Sequence, residues 1–504
     1  MKQDARKDLL RLSPQSVLSC LLEASGKQTK DQISEANRYR EIGFEGENAR
    51  LGWVTPPTWL NIERILNEFM CLQVAKHKKH YIFSGMGGSI NAVKALIQIL
   101  GDQSRFKLYT IDSLDPTALE ELFSSIGDLS KALVIGVSKS GTTKETQDLL
   151  KALREGFYSQ NLDYRNHFLW LTDLPQGKQN MEDVGWQGVE TLSIQTDGGT
   201  DIGGRFSAPH TLVFLIPLLL LLDQDLHRLK AIWSAYLSLR EKLILESAKK
   251  AYELAKKETQ HFAIVLEEKL VQALETWIIQ LFQESLGSKI AGFNPKTIVA
   301  ASGTMPEGFE EVMLETDTAT IIVDAMLSMF LLQVFVAIFA YYKGINFVTQ
   351  PEVERYKRKM TEILFQKTSP AERVTINQLL EDVRKLLQHK PQAKFLEVIC
   401  YWHLKERLRH HLKRVLKTAF PDKQIFVFVG SDWNHHSYQA ASWNEDTLFI
   451  ILTKRYYEQQ IKGISAQTLR KNTATLKTIA YATYKTLNGK AEFFEVEENG
   501  LRSP

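Results

Sequence analysis

A short turn rich in hydroxyl groups is the clearest candidate for chemistry in this sequence. The stretch "SKSGTT" places Ser138, Lys139, Ser140, Thr142 and Thr143 around one glycine, after the apolar run "ALVIGV" and before the helical run "KETQDLLKALREG". Hydroxyl groups donate hydrogen bonds, and the free N–H groups of a helix N-terminus favour an anion. The turn therefore suits a phosphate group.

A glycine-rich turn, "GMGGS", follows another β-rich run, "HYIFS", and precedes the helical run "INAVKALIQIL". Glycines let the backbone approach a ligand closely, and Gly88 and Ser89 lead into the helix. The turn is not a Walker A motif, and Ile90 replaces the third glycine of the dinucleotide-binding pattern. "GMGGS" alone also fits a plain turn with a helix cap, but the two turns together favour a phosphate site.

A single arginine, Arg205, lies in "GGRFSAPHTLVFLIPLL", just before the most apolar stretch of the chain. Ser207 is predicted as the N-cap of that helix and Pro209 as one of its first residues. A guanidinium group cannot lose its charge, so Arg205 needs an anionic partner. Two partners remain open: an anionic substrate or intermediate, or a structural ion pair with an acid such as Asp197 or Asp201.

A carboxylate continues the apolar stripe of a predicted helix in "KLVQALETWIIQLFQESLGSK". The stripe contains Leu270, Leu274, Trp277 and Leu281 at helical spacing, and it next reaches Glu284. An inward-facing carboxylate suits a general base. The alternative is a solvated glutamate at a fraying helix end.

A lysine has a similar position in "FVTQPEVERYKRKMTEIL". Thr349 and Glu352 are predicted to form a capping box at the start of this helix. Lys357 would then interrupt an apolar face made of Val353, Met360 and Leu364. The alternative is a lysine that extends along the surface to solvent.

Alternating β-rich and helical runs indicate an α/β fold with parallel sheets. Residues 1–78 are predicted as a helical segment, with "PPTWLNIERILNEFMCLQVAKHK" an amphipathic helix. Residues 79–223 form a first α/β domain, whose strands are "HYIFSG", "FKLYTI", "ALVIGV", "HFLWLT" and "VETLSI". Residues 224–258 read as a helical connector.

Residues 259–504 are predicted as a second α/β domain with a C-terminal extension. It begins with a long helix at 266–286, followed by strands near "KTIVAAS" and "TATIIVDA" and the apolar helix "LSMFLLQVFVAIFAYYKG". Two later strands, "IFVFVG" and "TLFIILT", either complete that sheet or form a small third unit. The intervening basic stretch "HLKERLRHHLKRVLK" is predicted as a packed helix with a solvated basic face rather than a nucleic-acid site.

Composition excludes several classes of protein. The 504 residues are 44% hydrophobic with a net charge of +3, so no bulk charge indicates binding to nucleic acid or a membrane. Cys20, Cys71 and Cys400 are too scattered for a disulfide framework or zinc site and fit the cytoplasm. The charged N-terminal residues show no secretory signal, and the apolar stretch 212–222 is too short to span a bilayer.

Five motifs, "GMGGS", "SKSGTTKET", "GGRFSA", "QESLGSK" and "QPEVERYK", together resemble the glucose-6-phosphate isomerase (phosphoglucose isomerase) family. They occur in the family's order between about residues 81 and 360. With "GSDWNHHSYQA", the chain is most similar to the isomerase half of transaldolase–isomerase fusions. The resemblance implies two doubly wound parallel-sheet sugar-isomerase domains and a cytoplasmic homodimer without metal or cofactor.

The resemblance also implies roles for individual residues. Arg205 would stabilise a cis-enediolate intermediate, Glu284 would be the base, and Lys357 would assist ring opening beside Gln350. The sugar-phosphate cradle would comprise Gly88, Ser89, Ser138, Lys139, Ser140, Thr142 and Thr143.

Three features depart from the family pattern. Residues 285–350 contain no histidine, although family members commonly use one there for ring opening. His435 or His436 would substitute, unless they are an ordinary surface pair. "QESLGSK" has one residue more than usual before its lysine, and Thr349 replaces the customary aspartate.

The sequence thus predicts reversible isomerisation of glucose 6-phosphate and fructose 6-phosphate. The alternatives are a non-catalytic sugar-phosphate sensor with the same fold, or an isomerase that also accepts mannose 6-phosphate.

Overall fold

The computed structural model describes residues 9–303, 305–314, 316, 318, 320–362, 375–458, 460–487 and 489–501. Contacts divide the chain into two compact units. Unit 1 comprises Met1–Thr110, Asp128–Thr146 and Leu162–Gln350, and unit 2 comprises Ile111–Gly127, Gln147–Asn161 and Pro351–Pro504. The boundaries predicted at residues 78, 223 and 258 all fall within unit 1.

The described part of the first segment of unit 1 is mainly helical. Its elements are α1 (Pro14–Ala24), α2 (Tyr39–Ile42), the short antiparallel pair β1 (Phe44–Glu45) and β2 (Asn48–Ala49), and α3 (Trp59–Cys71). The amphipathic pattern of α3 buries Ile62, Ile65, Leu66 and Phe69 on one face.

The first sheet contains the five β-rich runs predicted from the sequence. Its elements in chain order are β3 (His80–Ser84), α4 (Asn91–Leu100), β4 (Lys107–Ile111), α5 (Pro116–Ile126), β5 (Ala132–Val137), α6 (Lys144–Ser159), β6 (Phe168–Thr172), α7 (Gln176–Glu182) and β7 (Glu190–Ser193). The spatial order is β4-β3-β5-β6-β7, and β3, β5, β6 and β7 pair in parallel. The strand order reverses between β3 and β5, where open parallel sheets bind ligands.

Two helices follow the first sheet, α8 (Leu212–Leu221) and α9 (Leu226–Lys256). The predicted start of α8 at Ser207 is wrong, because Thr211 is its N-cap residue and Pro209 lies in the preceding turn. Arg205 instead lies in a separate 3₁₀ turn, Gly204–Phe206. Every residue of α8 is buried. The helix therefore coincides with the continuous apolar run and begins at Leu212, after the polar residues of the preceding turn.

The second sheet of unit 1 is smaller. Its elements are β8 (His261–Val265), α10 (Glu268–Leu286), β9 (Thr297–Ala300), β10 (Phe309–Met313) and α11 (Ile321–Lys343). The three strands are parallel in the order β10-β8-β9. The sequence analysis missed β8 and β10, whose runs are short and, for β10, acidic.

Helix α11 corrects the strand predicted at "TATIIVDA". Isoleucines and a valine at its start resemble a buried strand, but they continue into a helix that is apolar on all sides. Its length and composition would allow it to cross a membrane, yet 94% of its most apolar window is buried inside the protein. This burial is typical of the central helix of a packed core.

Unit 2 has a sheet of its own. Its elements include α12 (Pro351–Glu362), α13 (Ile376–His389), β11 (Phe395–Tyr401), α14 (Glu406–Ala419), β12 (Gln424–Val429), α15 (Gly430–His436), α16 (Tyr438–Ala441), β13 (Thr447–Lys454), α17 (Ala466–Thr486) and β14 (Ala491–Val496). All pairs are parallel, in the order β12-β11-β13-β14. The runs "IFVFVG" and "TLFIILT" therefore belong to a third sheet and do not extend the second.

Helix α14 bears out the predicted packed leucine face of the basic stretch. Leu408, Leu412 and Leu416 are buried along one side of the helix, and Leu404 just before it is buried as well. The predicted α/β class with parallel sheets is confirmed.

Candidate functional site

The two predicted phosphate turns lie at the same edge of the first sheet. "GMGGS" follows β3 and "SKSGTT" follows β5, on either side of the point where the strand order reverses. The strand ends are close together, because a Cβ atom on Gly85 would lie 3.0 Å from the carbonyl oxygen of Val137. The sheet thus brings the glycine turn and the hydroxyl turn to its ligand-binding edge.

The hydroxyl turn is compact. Ser138 is buried and its Oγ donates to Thr143 Oγ1 at 3.2 Å, while the exposed Ser140 and Thr142 hydroxyls are 2.7 Å apart. Gly141 has a φ of +69°, and a Cβ atom there would lie 2.5 Å from the carbonyl oxygen of Gly177. Only glycine fits this position, and it lets the turn present several hydroxyls before α6 begins.

Lys139 points away from the hydroxyl groups of its own turn. Its Nζ donates to the carbonyl oxygens of Thr200 and Ile202 at 3.0 and 2.8 Å and lies 3.7 Å from Asp173 Oδ2. Burial lowers the pKa of Lys139 to about 8, with Arg50 adding to the effect. Burial likewise raises the pKa of Asp173 to about 6. In this arrangement Lys139 anchors the loop that leads to Arg205, and its phosphate-binding role stays a prediction.

The glycine turn packs directly on the backbone beside Arg205. A Cβ atom on Gly88 would lie 2.3 Å from the carbonyl carbon of Gly204 and 2.6 Å from the backbone nitrogen of Arg205. Ser207 Oγ also donates to the carbonyl oxygen of Gly88 at 3.2 Å. This close approach explains the glycine at position 88, and it places Arg205 beside the half-buried Ser89 turn.

Arg205 is held at three positions of its guanidinium group. Its side chain is 6% exposed, and Nε donates to Ser285 Oγ at 2.8 Å. Nη1 donates to Glu284 Oε1 at 2.9 Å and Nη2 to the carbonyl oxygen of Phe347 at 2.7 Å. Arg205 thus forms an ion pair with Glu284 rather than with Asp197 or Asp201, and its role toward an anionic substrate stays a prediction.

Glu284 faces inward, as predicted. It is 5% exposed in the last turn of α10, so the solvated, fraying helix end is wrong. Its second oxygen, Oε2, accepts a hydrogen bond from Gln280 Nε2 at 2.9 Å. A buried carboxylate beside a fixed cation can accept a proton while the cation stabilises a nearby oxyanion.

The sequence analysis missed three members of this site: Gln280, Ser285 and the Phe347 carbonyl. Gln280 lies four residues before Glu284, so a search for polar residues at i−4 on the same helix face would have found it. Ser285 follows the base directly. The Phe347 carbonyl carries no signal in the sequence, because any residue provides the same group.

Gln350 and Lys357 lie in different units. Gln350 is half-buried in unit 1, three residues after Phe347, and Lys357 belongs to unit 2. The predicted apolar face is wrong, because Val353 and Tyr356 are the buried residues of α12. Lys357 is exposed and pairs with Glu354 at 2.9 Å. Leu364 lies outside the described residues, and the role of Lys357 stays a prediction.

The predicted capping box at the start of α12 is replaced by other bonds. The Glu352 N–H donates to Gln439 Oε1 at 3.0 Å, and the Glu352 carboxylate accepts from Ser442 Oγ at 2.9 Å. Thr349 donates its own N–H to Asn346 Oδ1 at 3.1 Å. Tertiary partners thus satisfy groups that the local sequence pattern pairs with each other.

The two adjacent histidines lie at the end of α15, which directly follows β12 in unit 2. His436 is 2% exposed and packs edge-on against Phe428, and His435 is half-buried. The surface-pair alternative is therefore wrong for His436. A role of either histidine in ring opening stays a prediction.

Within the described residues, no group of three or more His, Cys, Asp or Glu side chains could hold a metal ion. Cys20, Cys71 and Cys400 are free thiols.

The chain is similar in sequence to curated glucose-6-phosphate isomerases. It is 26% identical over 244 residues to that of Campylobacter jejuni, covering 46% of this chain and 56% of the relative. It is 40% identical over 126 residues to that of Chlamydia felis, covering 25% of this chain and 22% of the relative. The resemblance to this family is confirmed. No family model matches the chain.

The alignments are partial. The chain spans about half the length of several curated relatives it matches, 56% for the Campylobacter jejuni enzyme and 50% for a probable glucose-6-phosphate isomerase of Haloquadratum walsbyi.

Solved structures show a similar fold. A hypothetical protein of Thermus thermophilus matches with a TM-score of 0.51 at 20% identity, covering 71% of this chain and 96% of the other. A glucose-6-phosphate isomerase of Chlamydia trachomatis matches with a TM-score of 0.50 at 16% identity, covering 72% and 86%. These likenesses confirm the predicted fold.

Proposed function

We propose that the protein is an aldose–ketose isomerase that interconverts glucose 6-phosphate and fructose 6-phosphate. The observation that carries the proposal is the buried ion pair between Glu284 and Arg205. The backbone of Arg205 contacts the glycine turn at the ligand-binding edge of the first sheet. The curated relatives named glucose-6-phosphate isomerase support the same reaction. A cytoplasmic homodimer is part of the proposal.

Glu284 acts as the base. It takes the proton from C2 of the open-chain aldose, and the electron pair of that C–H bond forms the C1–C2 double bond. The carbonyl electron pair moves onto O1, which gives a cis-enediolate. Glu284 then returns the proton to C1 while O2 passes its own proton to O1, so no outside oxidant or reductant is needed.

Arg205 stabilises the enediolate oxygen. The three observed bonds use three of the five guanidinium N–H donors, and the remaining two have no partner among the described residues. A positive charge that is already fixed in a buried site stabilises a developing oxyanion without reorganisation. The bond from Nη1 to Glu284 also keeps the carboxylate oriented before substrate arrives.

The two turns at the switch point bind the phosphate. The hydroxyl turn supplies hydroxyl donors from Ser138, Ser140, Thr142 and Thr143. The glycine turn supplies backbone N–H groups at Gly88 and Ser89. Gln350, in the same unit, assists binding in this proposal. The roles that the family resemblance implies for Lys357, His435 and His436 stay predictions.

Replacing Glu284 with glutamine tests the proposal. An amide cannot accept the proton, so we expect kcat for fructose 6-phosphate isomerisation to fall by about 10²–10⁴-fold, the usual contribution of a general base. The measurement is a coupled assay on purified protein, together with deuterium transfer from solvent to the sugar. Glu268→Gln is the matched control, since Glu268 is an exposed residue in the first turn of the same helix.

Normal turnover by Glu284→Gln would refute the assignment of the base. If the parent protein binds fructose 6-phosphate saturably but incorporates no deuterium at C1 or C2, the protein is a sugar-phosphate sensor instead. Comparable turnover of mannose 6-phosphate would show a broader isomerase.

A further inference from the structure

A buried histidine follows Arg205 by five residues. His210 is 2% exposed and lies in the turn between the 3₁₀ turn of Arg205 and helix α8. Its Nδ1 lies 2.8 Å from the carbonyl oxygen of Trp53, and its Nε2 lies 2.7 Å from the hydroxyl oxygen of Tyr236. Both ring nitrogens therefore have a partner, one from the first segment of the chain and the other from helix α9.

The direction of each hydrogen bond in this network is fixed. The Trp53 carbonyl oxygen can only accept, so His210 Nδ1 carries the proton and Nε2 accepts from the Tyr236 hydroxyl. Burial, with the Arg240 charge adding to it, lowers the pKa of His210 to about 3, which keeps the ring neutral. Arg240 can only donate; it forms a hydrogen bond with Tyr236, and its Nη2 donates to the carbonyl oxygen of Val54 at 2.7 Å. The network thus runs from a fixed donor to a fixed acceptor.

Trp53 connects this network to Arg205. The Trp53 side chain is fully buried, and its ring stacks on that of Phe206 with centroids 5.0 Å apart. The Arg205 guanidinium lies over the Phe206 ring, 5.6 Å from its centroid. Phe206 also packs edge-on against Phe347, whose carbonyl oxygen accepts from Arg205. A displacement of Trp53 therefore moves the ring that supports the guanidinium group.

The stretch that contains this tryptophan, residues 50–54, also holds the loop that precedes the arginine. Arg50 Nη1 donates to the carbonyl oxygen of Thr200 at 2.8 Å. The Gly52 N–H donates to the carbonyl oxygen of Asp201 at 3.3 Å. Residues 50–54 thus contact the chain on both sides of the arginine, and the histidine is the bond that closes the second side.

We infer that His210 is a positioning residue that, through Trp53, sets the place of the Arg205 guanidinium in the site. This inference rests on the proposed isomerase function. Arg205 must meet the enediolate oxygen at hydrogen-bonding distance, and a misplacement of about 1 Å removes much of the effect of such a group. Residues 50–54 therefore contribute to catalysis, although none of them belongs to a motif of the site.

Core packing alone does not explain a histidine at this position. The His210 ring packs against the rings of Trp233 and Phe330, with centroids 5.8 and 5.7 Å away. An apolar side chain would suit these neighbours, but it would leave the Trp53 carbonyl oxygen without this donor and the Tyr236 hydroxyl without this acceptor. The imidazole ring supplies both groups and holds them at a fixed separation.

The first test is His210→Leu, which removes both ring nitrogens. We expect kcat for fructose 6-phosphate isomerisation to fall by about 10–100-fold while KM changes by less than about twofold, since the phosphate turns are untouched. His210→Asn should recover most of kcat, because its amide nitrogen can take the place of Nδ1 and donate to Trp53. Thr211→Val is the matched control and should leave kcat unchanged, because the buried Thr211 hydroxyl has no hydrogen-bond partner among the described residues.

The binding of two ligands separates positioning from a general loss of structure. His210→Leu should bind inorganic phosphate as the parent does, and should bind a hydroxamate analogue of the enediolate about 10–100-fold more weakly, in proportion to kcat. Ser247→Ala is the control for stability, since it removes a buried hydrogen bond to the Leu331 carbonyl oxygen elsewhere in unit 1. This variant should lower the thermal midpoint of unfolding without changing the ratio of the two affinities.

A double variant tests the route through Arg205. Arg205→Lys keeps the positive charge but lacks the planar set of donors, so its position no longer depends on the same contacts. Adding His210→Leu to Arg205→Lys should lower kcat by less than about twofold further. The full loss seen in His210→Leu alone would overturn the inference, since His210 would then act by another route.

Three results would refute the positioning role and leave the isomerase proposal intact: an unchanged kcat in His210→Leu, no recovery in His210→Asn, or equal weakening of both ligands. If His210→Leu does not fold, Tyr236→Phe replaces it, because this change removes only the donor to Nε2. It should shift the ratio of affinities in the same direction by a smaller factor, and an unchanged ratio would contradict the inference. A parent protein without isomerase activity would refute the proposed function itself, and the inference with it.

Discussion

Burial acts on two opposite charges behind the hydroxyl turn, Lys139 and Asp173. Their charged groups lie 3.7 Å apart, and both pKa values move toward neutrality. Burial lowers the pKa of Lys139 to about 8 and raises that of Asp173 to about 6. The cost of removing each charge from water exceeds the attraction between them, which is a common balance for buried ion pairs.

The pH dependence of stability should show this balance. The pKa of Asp173 is about 6 in the folded protein against an ordinary value of 3.8, so the folded state binds more protons between these pH values. Its contribution to stability is complete below about pH 4 and is lost as pH rises to 6. The loss amounts to at most about 3 kcal/mol. For Lys139 the change has the opposite sign, and its contribution increases as pH rises from about 8 toward 10.5.

Asp173→Asn should remove the fall in stability between pH 4 and 6. The measurement is urea unfolding of the parent and the variant at several pH values, which gives the slope of the unfolding free energy against pH. The substitution also removes the partner of Lys139, but that loss lowers stability by a similar amount at each pH in this range and does not change the slope. Equal slopes would show that Asp173 does not titrate in this range.

At the scale of elements, the site depends on the contact between two glycine-rich turns. Gly88 has no room for a side chain, since the backbone of Gly204 and Arg205 fills the space where its Cβ would lie. The reverse does not hold, because a Cβ on Gly204 would meet only the Gly88 Cα, at 4.0 Å. The two glycines therefore differ in what they tolerate, although their motifs look alike.

Gly88→Ala should separate the turns and displace Arg205. We expect a loss of stability of about 1–3 kcal/mol, typical of overpacking, and a larger loss of isomerase activity. Gly204→Ala is the matched control and should be close to the parent in both respects. The measurements are chemical unfolding and the coupled assay, and equal behaviour of the two variants would contradict this account.

At the scale of the whole molecule, all three parallel sheets place their first strand between the second and third. The order is β4-β3-β5 in the first sheet, β9-β8-β10 in the second and β12-β11-β13 in the third. At the corresponding edge of the third sheet, a buried carboxylate from Asp115 accepts the His403 N–H at 2.8 Å and lies 3.3 Å from Lys454 Nζ. In the third sheet, the carboxylate of Asp115 therefore occupies the place at the strand ends where an open parallel sheet favours an anionic ligand.

Asp115→Asn should destabilise unit 2. Removing one partner of a buried ion pair leaves Glu498 as the acidic partner of Lys454 among the described residues, and we expect a loss of about 3 kcal/mol. Hydrogen exchange of the amides in β11 and β13 measures the effect locally. Glu120→Gln, at an exposed position of helix α5, which Asp115 caps, should leave exchange unchanged. Unchanged exchange in Asp115→Asn would show that the pair does not support the sheet.

Local patterns in the sequence determined much of the fold. The five strands of the first sheet, the long helices α9 and α10, and the packed face of α14 follow from hydrophobic spacing, which depends only on neighbouring residues. The same reasoning placed Glu284 on an inward face and brought the hydroxyl and glycine turns to strand ends. It failed at "TATIIVDA", because burial on all sides removes the periodicity that distinguishes helix from strand. It also missed β10, a short acidic run in which only Phe309 and Val312 are buried.

Only the tertiary structure decided which groups meet. Arg205 pairs with Glu284, 79 residues away, rather than with the nearer Asp197 or Asp201, and its third bond goes to the Phe347 carbonyl. Asn91 reaches Gln280 across 189 residues. Such contacts depend on how the helices pack and on which backbone segments approach closely. The packing of the whole core sets the distances between residues of different elements. Spacing in the sequence gives only the geometry within a single helix or strand.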